Sequence, residues 1–438
     1  MAKKSSYLLL ASMLSTVALS GCGGQGNEGK GTAQDVQDKK KEPYTMTIFT
    51  RGVSADEFDD RFRKAIEKKF PHITFKYIMA GTGTQITDLV SQGTIPDIMR
   101  IDVPSMNTEY IDVGLAYGLG DLIKKYNYNL KRFNSVFIDE MISAGRTGEL
   151  YGLPVPPYFP MALYYNKELF DRFGVPYPKD GMTWDEVYEI AKKMTRVDGE
   201  VYRGFSSSTN AMLRDNPFSL PILDPAADKL ADPGKWTQIF NNYLRFYQIP
   251  NNVMEKTATL EGNAFGKGKV AMMAGQQNIY FIIPPEVNWD MVAYPTITGA
   301  PKLMGQRGPA YWSITKQSQH KEEAFEVIME MLSDEIQMED SKKGIATTLV
   351  NPDIKKMLGK SHPVFSTKNM NAVNFYEPTS PTPKRKPELV DIPGRTQEAA
   401  ILEAFTSVVT NQADVNSALR MAEEKLKKAI DAEKAAKK

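Results

Sequence analysis

Apolar and polar positions in the first third of the chain alternate between a period of two and a period near 3.6. The β-branched and aromatic run YTMTIFT (44–50) predicts a strand. SADEFDDRFRKAIEKKF (54–70) puts Phe58, Phe62, Ala65, Ile66 and Phe70 on one helical face. Its acidic start and basic end suit the helix dipole. HITFKYIM (72–79) predicts a second strand, GTQITDLVSQG a short helix and PDIMRID (96–102) a third strand. Such alternation predicts a parallel α/β sheet. In open sheets of this kind ligands sit beyond the carboxyl ends of the strands, which here are residues 50–54, 80–84 and 102–106.

A second region begins near residue 149, where GELYGLPVPPYFPMALYYNKELF predicts a strand pair running into a helix. TWDEVYEIAKKMT (183–195) predicts a helix with Thr183 and Glu186 as a capping box and Trp184 packed in the core. Further helices are expected at 233–247, 319–332, 396–410 and 413–432, and strands at 269–275 and 310–315. Tyr164 and Tyr165 are expected on opposite faces of their strand.

The amino terminus changes the picture. Lys3 and Lys4 precede the apolar run YLLLASMLSTVAL, which ends in Ser20 and Gly21 directly before Cys22. These are the marks of a secretory signal peptide over residues 1–21, and the run is shorter than the about 20 apolar residues that span a bilayer. Cys22 is the single cysteine in 438 residues, so it forms no internal disulfide. It is either incidental within the signal or functional. LSGC resembles the lipobox of bacterial lipoproteins, which implies acylation of Cys22 and a lipid anchor on the extracytoplasmic face of the cell membrane. Residues 22–43 then form a polar, flexible tether. The chain from residue 44 on is long enough for two domains. Its 54 basic and 53 acidic residues nearly cancel, which gives no argument for a nucleic-acid partner.

FRKAIEKKFPHITFKYI, PDIMRID, YGLPV, LYYNKELFDRFGVPYPKDGMTWDEVYEIAKKMT, AFGKGKVAMMAGQ and WSITKQSQHKEEAFEVIMEMLSDEIQ follow one another in a telling order. It resembles that of the extracellular sugar-binding proteins of ABC importers, the family 1 solute-binding proteins, over nearly all of 44–432. The resemblance implies a type II periplasmic-binding-protein fold of two α/β lobes joined by strands that cross between them. Lobe 1 would hold 44–157 plus 310–360, and lobe 2 would hold 158–309 plus 361–432. It further implies a monomer that holds a mono- or oligosaccharide in the interlobe cleft and closes by a hinge motion. The closed form would dock on the permease subunits, with no catalysis and no cofactor or metal.

A sugar ring presents a face of C–H groups and a rim of hydroxyls, which calls for a flat aromatic and for paired donors and acceptors. By the resemblance, Trp312 and Tyr311 in GQRGPAYWSIT lie where a loop recrosses the cleft, as ligand contacts or as hinge packing. Tyr158 and Phe159 in PVPPYFP sit at the first crossover, and Asp102 is a hydroxyl acceptor or a helix N-cap. Where many relatives carry an aromatic two residues past AMMAG, this chain has Gln276 and Gln277. Stacking there is lost or moved to Tyr280, Gln277 becomes a candidate hydrogen bonder, and a maltodextrin-type ligand is disfavoured. Arg51 and Asp56 in TRGVSADEF are further candidates, Arg51 for a carboxylated sugar, and Arg395 in DIPGRTQEA falls in the family's last cleft loop. The arginines and lysines together are compatible with an acidic oligosaccharide.

Two other classes stand as alternatives. A secreted glycosidase or lyase would use a carboxylate pair. A binding protein for a peptide, iron or a polyamine would need a different cleft. The chain has no G-x-S-x-G and no H-E-x-x-H, and His72, His320 and His362 fall in no metal-ligand spacing.

Overall fold

The three strands predicted near the amino end lie side by side in one sheet, the first of them between the other two. The structure, a computed structural model, describes residues 42–386 and 388–436. The expected signal peptide, Cys22 and nearly all of the expected tether lie outside the described residues. In chain order the strands are β1 (Tyr44–Thr50), β2 (Ile73–Met79), β3 (Ile98–Asp102), β4 (Leu153–Val155), β5 (Phe159–Asn166) and β6 (Arg196–Asp198). They continue with β7 (Glu200–Tyr202), β8 (Ser206–Ser207), β9 (Met272–Gln276), β10 (Trp289–Ala293), β11 (Gln306–Arg307) and β12 (Ala310–Ile314).

The first sheet runs β2-β1-β3-β12-β4, with β1 parallel to both neighbours and β12 antiparallel to β3 and β4. The second runs β10-β5-β9-β8, with β11 on β5, and β6 and β7 form a separate hairpin. The chain therefore leaves the first sheet between β4 and β5 and returns between β11 and β12.

The helical run 55–69 starts at Ser54, whose Oγ accepts from the Glu57 N–H at 3.1 Å. Phe58, Phe62 and Ile66 are buried against the first sheet, each contributing about 1.5–3 kcal/mol. A π turn at Asp59–Arg63 interrupts the run, and Arg61 within it is buried. Its guanidinium grips Asp340 with two parallel bonds (3.1 and 2.8 Å) and donates to the Pro156 carbonyl at 2.8 Å. The helix is thereby tied to the start of the crossing toward β5.

On the second sheet, Thr183 and Glu186 form the expected capping box, and Trp184 is buried among Phe205, Tyr243, Phe246 and Tyr294 at 5.2–5.9 Å between ring centroids. Tyr164 and Tyr165 point into different apolar clusters, as their alternation requires. A third cluster mixes Phe137 and Leu358 with Tyr158, Trp289 and Phe365, where the two sheets' elements meet. The helices Ser135–Gly145 and Asp334–Lys343 and the strand β10 have no counterpart in the sequence reading. In the first, apolar residues spread round the helix and blur its period. No helix among the described residues is long and apolar enough to cross a membrane.

Candidate functional site

β1 and β3 end side by side, Thr50 opposite Arg100, so Arg51 and Asp102 leave the same edge of the sheet. Gly52, at a φ of 74°, turns the chain there in a conformation that favours glycine. A recess of about 190 Å³ lies at this edge, lined by Phe49, Arg51, Arg100, Asp102, Ser105 and Glu109 with Met99 and Ile101. Arg51 Nη2 lies 2.7 Å from Glu109 Oε1 and donates to Gln85 Oε1 at 2.9 Å. Arg100 Nη1 donates to the Arg51 carbonyl at 2.9 Å. Burial and the nearby Arg61 charge push the Arg100 guanidinium down to about 10. Burial raises the Glu109 carboxyl above the usual range against the pull of Arg51, and Arg395 also lies within electrostatic reach.

Arg395 comes from the opposite side, in the first turn of the helix Gly394–Val409. Behind it stands a second polar group. Arg214 holds Asp215 with two bonds of 2.7 Å, Gln276 Nε2 donates to Asp215 at 3.1 Å, and Asn210 donates to Glu398 at 3.0 Å. The chain joins the two groups directly. Gly305 presses so close to the Asp215 carbonyl that an added Cβ would sit 1.9 Å from its oxygen, and Ala310 pairs with Asp102. Beyond the crossing, Arg146 binds Asp391 at 2.8 Å. Lys384, near Glu140 and Asp391, is held below the usual lysine range by burial.

The structure thus brings Arg51 and Asp102 together in the recess and sets Arg395 near them. Asp102 also accepts from the Ser105 N–H at 3.1 Å, so it is an N-cap as well as a recess wall. Asp56 is exposed in the first turn of its helix and touches none of these groups.

The aromatic candidates are placed elsewhere. Trp312 is fully buried, opposite Arg100 in register and edge-on to Phe62 at 5.9 Å. Tyr311 is fully buried and donates to the Phe137 carbonyl at 2.8 Å and to Glu140 at 2.9 Å. Gln277 and Tyr280 are buried and both donate to the Gly344 carbonyl, Gln277 at 3.0 Å. Tyr280 packs on Phe281 and Phe365 and so offers no stacking face. Tyr158 is buried and lines a different pocket of about 280 Å³ with Asn134, Lys355 and Glu377. Phe159 is half-buried at the start of β5.

Sequence reasoning passed over Arg100, Glu109, Gln85, Asp215 and Lys384. Arg100 did leave a trace: it is an arginine inside an apolar parallel strand, two residues before Asp102 and so on the same face. The others are assembled by tertiary contacts. Among the described residues, no group of three or more His, Asp or Glu side chains is arranged to hold a metal.

A profile of the bacterial extracellular solute-binding protein family matches residues 52–338. A putative binding protein of Brucella abortus (strain 2308) is 24% identical over 301 residues, which is 65% of this chain and 70% of that protein. A sugar transporter of Rhizobium etli in an open conformation superposes with a TM-score of 0.68 at 20% identity, covering 87% of this chain and 99% of that one. An ABC substrate-binding protein of Listeria monocytogenes in complex with cycloalternan gives 0.66 at 18% identity, over 89% of this chain and 100% of that one. These likenesses fix the fold as the two-lobed periplasmic-binding-protein architecture. The chain belongs to the bacterial extracellular solute-binding protein family.

Proposed function

We propose that the chain is the solute-binding component of an ABC importer, holding a sugar or oligosaccharide between its lobes and passing it to the permease without altering a bond. The lobes are 44–157 with 310–360 and 158–309 with 361–432, hinged where the chain crosses between the sheets. One observation carries this reading. Guanidinium and carboxylate groups (Arg51, Arg100, Asp102 and Glu109) converge at the carboxyl ends of β1 and β3, facing Arg395. Groups that donate and accept in pairs suit a rim of hydroxyls, and a site reached from both lobes lets the ligand favour the closed form. The cycloalternan held by the Listeria protein supports a carbohydrate, and the family and these neighbours are binding proteins rather than enzymes. Acylated Cys22 would keep this monomer at the outer face of the membrane.

Calorimetry with mono- and oligosaccharides, spermidine and oligopeptides tests the reading. Stoichiometric binding of a carbohydrate with no product released is expected. Binding of spermidine or a peptide and of no carbohydrate overturns it, and release of a cleaved product would make the chain a glycosidase or lyase.

A further inference from the structure

Two arginines and two carboxylates line the recess, with Arg395 within electrostatic reach of Glu109, and their partners are unequally shared. Arg51 is paired with Glu109 and bonded to Gln85. Arg100 has no carboxylate within ion-pair distance among the described residues; it donates once, from Nη1 to a backbone carbonyl, and its buried Nε has no partner. Arg395 is exposed and makes no ion pair among the described residues. An arginine stripped of water with no carboxylate bonded to it is costly, even with Glu57 and Asp102 within electrostatic reach, and an arriving anion relieves that cost. The Nε–Nη2 edge of a guanidinium matches a carboxylate with two parallel bonds, which a neutral hydroxyl cannot do. The recess is shallow and open, about 190 Å³ with the solvent at its mouth included, and does not enclose a whole small molecule. It suits one substituent of a sugar ring.

We propose that the solute is an acidic saccharide, one containing a uronic acid, whose carboxylate binds Arg100 and is faced by Arg395 while Asp102 and Glu109 take ring hydroxyls. This rests on the carbohydrate reading above and narrows it. A neutral sugar leaves Arg100 without a bonded counter-charge, so the site discriminates by charge as well as by shape.

The test is calorimetry on the purified protein with di- and trisaccharides of galacturonic, glucuronic and mannuronic acid. Each is set beside its neutral counterpart, at about 0.05 M and about 0.5 M salt. At least one uronate should bind at least about tenfold tighter than its counterpart, and should weaken with salt. Arg100→Gln should lose about tenfold or more for that uronate with an unchanged melting temperature, and Arg100→Lys should recover only part of the loss. A neutral saccharide that binds as tightly as its uronate overturns the inference and leaves the carbohydrate reading intact. So does binding of no uronate in the panel. Full uronate affinity in a folded Arg100→Gln overturns the role of Arg100, and binding of spermidine or peptide alone overturns both readings.

Discussion

The recess at the ends of β1 and β3 and the aromatic belt at the crossings lie within a few residues of each other, yet they obey opposite rules. Arg100 and Trp312 are direct partners on adjacent strands. Arg100 is a half-buried cation short of partners, whereas Trp312 is sealed against Phe62. The belt draws on Tyr311, Tyr158 and Tyr280, whose rings pack inward. The lesson is that residue type alone does not place a ring in a cleft, since a tryptophan serves a core as readily as a pyranose. Backbone position is the better one: the polar groups gathered where the parallel strands end.

The comparison breaks most easily at Trp312. Trp312→Ala should cost about 3–5 kcal/mol in denaturant unfolding, the usual loss for emptying a buried aromatic site. Trp312→Phe should bind solute as the parent does. A loss of affinity with unchanged melting would move this ring into the site. Tyr280→Phe should cost about 0.5–1.5 kcal/mol, the hydrogen bond to Gly344, and leave affinity unaltered.

Acidity sharpens the other side. Glu109 titrates above the ordinary carboxylate range because it is buried, with Asp102 adding repulsion and Arg51 and Arg395 opposing it. It therefore takes up its proton at a higher pH than an ordinary carboxylate does, and Arg51 then loses its counter-charge. Affinity for a uronate should rise a few-fold as pH falls through that titration, while a neutral sugar should show no such trend. Glu109→Gln should flatten the profile, and an affinity that falls instead would reverse the assignment. The smallest effect concerns stability: Arg100→Gln removes a costly desolvated charge and the bond to the Arg51 carbonyl, which oppose each other, so the net change should be no more than about 1 kcal/mol. A larger loss would make Arg100 a structural residue.

Local signals carried the order of the elements well. The stripe of Phe58, Phe62 and Ile66 and the box of Thr183 and Glu186 are written within single turns, so they are readable without knowing what lies opposite. The strand ends that hold Arg51 and Asp102 follow from the same alternation. Arg61 could not be read this way. It looks like an exposed helical residue, and only Asp340, 279 residues later, explains its burial. Arg395 was reachable through family likeness, while its relation to Glu109 exists only in three dimensions. The aromatics misled because burial is decided by neighbours, and those of Trp312 and Tyr280 come from remote segments.

Ala310, the first residue of β12, is paired in register with Asp102. The wall that would touch the solute and the strap that joins the two halves are thus rungs of one ladder, with no slack between them. A solute held by Asp102 would therefore pull on the strand that enters the crossing, with a single backbone rung between the two.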